Sequence, residues 1–253
     1  MVKDFIRYGI RYLTGVALIL LPLTFSWASV TLLGSRIIYP SDVTSVDVQL
    51  KNNDTFPYVV QTWFDNGDID ADPQAVGTVP FLATPPVFRI QAKSGQVVRV
   101  VYSKTKALPL DRESVFWFNA LQVPPANVNG DKKQNKMLVM LRTRIKLFYR
   151  PAKLGAPGNL VKKLQIKTVF DANKGTGINV INPHPWYASI SNLTASASGK
   201  TYTLKTDMVA PFSNQIFWLP ENNNAKRTTG SVNVTLVNDQ GARISERYNV
   251  TYP

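Results

Sequence analysis

The sequence predicts an all-β protein built as two Ig-like β-sandwich domains, and three observations carry that prediction. Short runs rich in β-branched and aromatic residues recur roughly every ten residues, each closed by turn chemistry. No segment after residue 28 sustains the 3.6-residue apolar period of a helix, so no substantial helix is expected. The stretch Pro151-Ala152-Lys153-Leu154-Gly155-Ala156-Pro157-Gly158, with two prolines and two glycines, is a poor strand and a good hinge. It separates a first domain at 29–150 from a second at 158–253, with 151–157 as linker.

Residues 1–28 are set apart from both domains. Lys3, Arg7 and Arg11 precede an apolar stretch from Leu13 to Phe25, and Ser26-Trp27-Ala28 supplies small residues at the −3 and −1 positions. That is the layout of a secretory signal peptide cleaved after Ala28. The apolar run is shorter than the roughly 20 residues a membrane-spanning helix needs, and Pro22 interrupts it. Export without stable membrane insertion after cleavage is therefore expected.

The strands follow in order. Val46, Val48 and Leu50 alternate with Asp47 and Gln49 and stop at Lys51-Asn52-Asn53-Asp54. Tyr58 to Phe64 stops at Asp65-Asn66-Gly67, Gln96 to Tyr102 follows a Lys-Ser-Gly turn, and Val115 to Val123 stops at Pro124-Pro125. Met137 to Tyr149 is one long run. Beyond the hinge, strands are expected at 164–170, 177–182, 187–190, 201–205, 215–219, 230–236 and 248–252.

Composition fits a folded exported chain, at 44% hydrophobic and 18% charged. Cysteine is absent, so each domain must live on its own core, and thiol catalysis and thiolate metal sites are excluded. The net charge of +13 becomes +11 once three basic residues and Asp4 leave with residues 1–28. A basic protein fits an acidic partner or serves general solubility. Export, and cations scattered among strands, argue against nucleic acid.

Nothing points to an enzyme or a cofactor. The one histidine, His184, sits between Pro183 and Pro185 and reads as a turn residue. No nucleophile elbow, zinc helix, phosphate loop or dinucleotide fingerprint occurs. Asp68, Asp70 and Asp72 lack the glycine and terminal glutamate of an EF-hand calcium loop.

The informative segment is Met137 to Pro151. In its first five residues both parities are apolar: Met137, Val139 and Leu141 point one way, Leu138 and Met140 the other. Burial on both sides follows, either as a central strand of its own sandwich or against another chain. The polar approach from Ala126 to Lys136 makes the second account concrete, since an apolar strand leaving such a loop is a candidate exposed edge. An exposed edge offers backbone hydrogen bonds and a row of side-chain knobs, which is β-augmentation.

Several motifs together resemble the periplasmic pilus-assembly (fimbrial) chaperone family, in its short-loop form. They are the run from Leu110 to Asn119 followed by Val123-Pro124-Pro125, Ala83-Thr84-Pro85-Pro86, the run from Arg144 to Pro151, and Asn182-Pro183-His184-Pro185-Trp186-Tyr187. The resemblance spans residues 29–253 in the correct order.

The resemblance implies two Ig-like domains set at an angle with an inter-domain cleft. In that cleft an Arg from the first strand and a Lys from the last strand of the first domain hold the C-terminal carboxylate of a pilus subunit. Those positions fall on Arg36 and Lys146, and a guanidinium fork plus an ammonium suits a carboxylate taken out of water. Met137, Val139 and Leu141 match the knobs of a donor strand lent to the subunit. Glu113, Arg150 and Asp239 match an inter-domain ionic network. Strict alternation puts Lys146 on the opposite parity from the three knobs, a conflict that a bulge or strong twist between 141 and 146 would resolve.

The implied function is a periplasmic chaperone that holds pilus subunits by donor-strand complementation, blocks premature polymerisation and delivers them to an outer-membrane usher. A copy without a subunit is left with an edge available for self-association. Two rival readings are an Ig-like structural pilus component and an exported carbohydrate-binding module.

Overall fold

A computed structural model describes residues 29–70, 79–126, 138–197, 199–220 and 228–252. The expected signal peptide, Asp72, residues 127–136 of the polar approach and Met137 lie outside the described residues.

Up to Arg150 the strands in chain order are β1 (Val30–Leu32), β2 (Arg36–Pro40), β3 (Val46–Asn52), β4 (Tyr58–Asp65), β5 (Phe81–Thr84), β6 (Val87–Ile90), β7 (Gly95–Tyr102), β8 (Ser114–Val123) and β9 (Leu141–Arg150). They form two sheets, one in the order β1-β3-β7-β5 and one in the order β2-β9-β8-β4-β6. All the pairings are antiparallel except β2 with β9, which is parallel.

Alternation decides which face is inside. In β3, Val48 and Leu50 are buried between exposed neighbours, as a half-buried strand requires. They meet Val98 and Val100 of β7, and across the sandwich Val60, Phe118, Ala120, Leu147 and Tyr149. Tyr39 is at the centre, edge-on to Phe81 at 5.3 Å between ring centroids and stacked on Tyr149 at 6.1 Å. Its hydroxyl donates to Thr44 O at 2.9 Å and accepts from Tyr102 N at 3.2 Å, so the polar tip is satisfied.

After two 3₁₀ turns, Ala152–Leu154 and Leu160–Lys163, the remaining strands are β10 (Gln165–Asp171), β11 (Gly175–Asn182), β12 (Ala188–Ala197), β13 (Lys200–Thr203), β14 (Met208–Val209), β15 (Ser213–Trp218), β16 (Thr228–Val237) and β17 (Arg243–Tyr252). One sheet runs β10-β11-β15 and the other β13-β12-β16-β17, with β14 paired to β12. Their core joins Ile178, Val180 and Phe217 to Leu193, Val232, Val234 and Tyr252. The molecule is thus all-β, two sandwiches in series, and no described helix is long and apolar enough to cross a membrane.

Two expectations need correction. The long strand expected from Met137 begins, among the described residues, at Leu141; Leu138 to Met140 carry no ladder. The last rung on β8 is Gln122 opposite Leu141, and Pro124-Pro125 then ends the partner strand, because proline offers no N–H. The strand expected to carry Arg36 is also not the first one. β1 belongs to one sheet and β2 to the other, and the chain changes sheets through Leu33-Gly34-Ser35. Gly34 there has φ +104°, a backbone conformation that side chains resist.

Candidate functional site

β9 has one closed edge and one edge that is half open. β8 covers it from Leu141 to Tyr149, while β2 covers the opposite edge only from Lys146 to Arg150. From Leu141 to Ile145 that second edge has no partner strand among the described residues. Leu138, Val139, Met140 and Leu141 lead into it and are 48–55% exposed. Four consecutive large apolar side chains at an unpaired edge form a surface that isolated proteins normally suppress.

The open edge stops where β2 starts. Its first residue, Arg36, is directly opposite Lys146. The register of β8 with β9 runs from Ser114–Tyr149 to Gln122–Leu141 without a shift, so no bulge lies between 141 and 146. Parity is therefore strict. Leu147 and Tyr149, with Ile145 packed beside them, face the core, and Leu141 shares their side. Arg142, Arg144, Lys146, Phe148 and Arg150 share the outer side. Phe148 and Arg150 are nevertheless buried, because the second domain covers that end of the strand, with the Tyr187 ring 5.8 Å from that of Phe148.

Arg36 and Lys146 are both partly buried and poorly compensated. Burial pushes the Lys146 ammonium below the ordinary lysine range, with Arg36 and Arg144 pushing the same way against Asp207. Burial likewise lowers Arg36, against the charges of Asp239 and Glu113. Arg36 Nη1 donates to Val237 O of the second domain at 2.7 Å, and its guanidinium lies 5.7 Å from the Phe148 ring centre. Its Nε and the Ser189 Oγ, both buried and lining the same inter-domain cavity, have no hydrogen-bond partner among the described residues.

Behind this pair the domains are tied by ions. Arg150 Nε donates to Glu113 Oε1 at 2.7 Å, and its two terminal nitrogens donate to the Asp239 carboxylate at 2.7 and 2.9 Å. Glu113 Oε2 accepts from Tyr187 N at 2.8 Å. Burial raises the Glu113 carboxyl even against the charge of Arg150 and these hydrogen bonds. Nearby, Trp186 Nε1 donates to Gly155 O at 3.2 Å, and His184 Nε2 lies 3.1 Å from Lys163 O. Trp186 thus ties the linker to the second domain while the histidine bonds within that domain, and no cluster that could hold a metal ion occurs among the described residues.

Of the residues singled out from sequence, the structure brings Arg36 and Lys146 together and gathers Glu113, Arg150 and Asp239 into one cluster. It sets Leu141 on the other face from Lys146. Sequence reasoning missed Asp65, Asn119, Arg142 and Arg144. The Asp65 carboxylate, wholly buried, accepts from Arg144 Nε at 3.0 Å and Asn119 Nδ2 at 2.8 Å on one oxygen. Its other oxygen accepts from Arg144 Nη2 and from Gly67 N. Arg142 Nε donates to Asn119 Oδ1 at 3.0 Å, and the two arginines lie over Trp63 and Trp117. The missed signal was the repeat of cations at 142, 144 and 146, since like charges on one strand face call for a counter-charge.

Residues 29–155 match the family described as pili and flagellar-assembly chaperone, PapD N-terminal domain, and residues 159–248 match the pili assembly chaperone PapD C-terminal domain. The probable fimbrial chaperone YadV of Escherichia coli strain K12 is 44% identical over 223 residues, covering 87% of this chain and 89% of the relative. A crystal structure of the YadV chaperone superposes with a TM-score of 0.72 at 39% identity, over 88% of this chain and 100% of that one. The Salmonella enterica SafB chaperone, solved in complex with the SafA pilin, gives 0.70 at 25% identity, over 89% and 98%.

Proposed function

This chain belongs to the pilus-assembly chaperone family, a non-enzymatic family, and on that premise we propose that it is a periplasmic chaperone that completes a pilus subunit by lending it a strand. The proposed domains are 29–150, which carries the donor strand, and 158–253, joined by 151–157. The subunit is held until an outer-membrane usher receives it.

One observation carries this reading: the open edge of β9 ends at the facing pair Arg36 and Lys146. A strand added beside Leu141 to Ile145 gains main-chain hydrogen bonds along its length. β2 continues the same edge and is parallel to β9. An added strand that brings its C-terminus to Arg36 and Lys146 must therefore also run parallel to β9. Its knobs and its anchor then need not share a face. Val139 and Leu141 fill the subunit's core from one side, while the carboxylate is a main-chain group lying near the sheet plane, within reach of outer-face cations. Opposite parity is thus compatible with one ligand, without a bulge.

Charge supports the same assignment. Two partly desolvated cations held face to face repel, and a carboxylate relieves both. Removing one partner of such a contact costs about 3–5 kcal/mol, a loss of more than about 100-fold in affinity. Recovery of pilus subunits by the wild-type chain and by Lys146→Ala from periplasmic extract tests the reading. Capture by the wild type and loss in the variant is the expected outcome, and equal recovery sinks the anchor.

A further inference from the structure

The outer face of β9 presents cations at three alternate positions, Arg142, Arg144 and Lys146, opposite Leu121, Asn119 and Trp117 of β8. At a rise of about 3.4 Å per residue they stand about 7 Å apart along the open edge. A C-terminal carboxylate arriving along that edge passes Arg142 and Arg144 before it reaches Lys146. Docking at Arg144 would slip the bound strand by two residues. A two-residue slip preserves which side chains face inward, so the apolar alternation that forbids one-residue slips does nothing against it. Something else must make the earlier cations unattractive.

Asp65 has the geometry for that task. It sits at the end of β4, on the same outer face, with its side chain fully buried. Both its oxygens are taken by Arg144, and Asn119 bridges it to Arg142, whose Nη2 lies 3.6 Å from it. Arg142 is further tied by Nη1 to Ile69 O at 2.6 Å, and each arginine is stacked on a tryptophan. Burial alone would raise the Asp65 carboxyl, yet Arg144, Asn119 and the Gly67 N–H together hold it below the usual carboxylate range. It stays ionised, neutralising the neighbouring arginine throughout the neutral range. Lys146, by contrast, makes no hydrogen bond or ion pair among the described residues.

We propose that Asp65, acting through Asn119, Arg142 and Arg144, sets the register of the bound strand by occupying the two competing cations, so that a C-terminal carboxylate docks at Lys146 and Arg36. Asp65 is a positioning residue for the carboxylate anchor, and the inference rests on that anchor. Its role predicts an interaction between distant substitutions that a purely structural role does not.

The test measures binding of a short synthetic peptide from the C-terminal strand of a pilus subunit, as free acid and as C-terminal amide, to the full mature chain. In the wild-type background Lys146→Ala weakens the free acid by about 100-fold or more. In the Asp65→Asn background the same change costs less than about tenfold, because the released Arg144 takes the carboxylate, and the amide loses this residual binding. Adding Arg144→Gln to Asp65→Asn removes the competitor and restores the full sensitivity to Lys146→Ala. Equal losses in the wild-type and Asp65→Asn backgrounds overturn the inference. Should Asp65→Asn not fold, side-chain resonances of the wild type decide: exchanging the amide peptide for the free acid shifts Lys146 and leaves Arg144 Nε–H unmoved, and an acid-specific shift at Arg144 overturns the inference. A wild type that binds acid and amide alike contradicts the anchor itself.

Discussion

Arg36 and Lys146 face one another across the parallel ladder of β2 and β9, two cations at one rung with no carboxylate between them among the described residues. Residues paired in this way project to the same side, and like charges directly opposite destabilise by a few tenths to about 1 kcal/mol. The free protein therefore carries a strained pair, which the proposed carboxylate would relax. On the proposed anchor role, function is opposed to stability, and the pair's consequences are measurable.

Replacing Lys146 by methionine keeps the stem packed and removes the repulsion. The expected outcome is a rise in the melting temperature of the free protein, up to about 2–4 °C, together with loss of subunit capture. Thermal denaturation beside a capture assay checks both.

Affinity for the free-acid peptide is expected to fall on the alkaline side earlier than an ordinary lysine would dictate. Burial depresses the Lys146 ammonium, so in the free protein it loses its proton below the ordinary range of about 10.4. Binding favours the charged form, so affinity is full at neutral pH and declines as pH rises through that lowered value. The amide peptide should lack this limb; calorimetry across pH distinguishes them.

The proposed knobs are expected to act on binding and not on folding. Val139 and Leu141 are half exposed in the free protein, so truncating either to alanine leaves its stability within about 0.5 kcal/mol. Burial in a partner contributes roughly 1.5–3 kcal/mol per side chain. Each alanine variant should therefore lose about 10- to 150-fold in subunit affinity by titration.

The inter-domain ions behave in the opposite way. Arg150→Ala strands Glu113, whose side chain is 2% exposed, beside Asp239, and should destabilise by about 3–5 kcal/mol. Glu113→Gln with Arg150→Met and Asp239→Asn replaces the whole cluster by neutral groups of similar shape and should cost far less in urea denaturation.

The sandwich architecture was legible because a strand such as β3 writes its face in alternation and because turn residues punctuate the strands. β5 and β6 were missed: four residues each, flanking Pro85-Pro86 and belonging to different sheets, they are too short for a period to register. In the site, Arg36 and Lys146 were reachable only through motif resemblance, since their pairing joins strands more than 100 residues apart in sequence. The Asp65 rung was invisible for a related reason. Asp65 ends a strand at Asn66-Gly67 and reads as turn chemistry, and only the register of three strands brings it beside Arg142 and Arg144. Parity along β9 was legible, but its meaning was not, because a carboxylate terminus belongs to the backbone and has no parity.

Amide hydrogen exchange along β9, in the free protein and with a pilus subunit bound, tests the lent strand most directly. New protection confined to residues 138–145, with 147–150 already protected by β2, is the predicted result. A bound subunit that leaves 138–145 exchanging as in the free protein contradicts it.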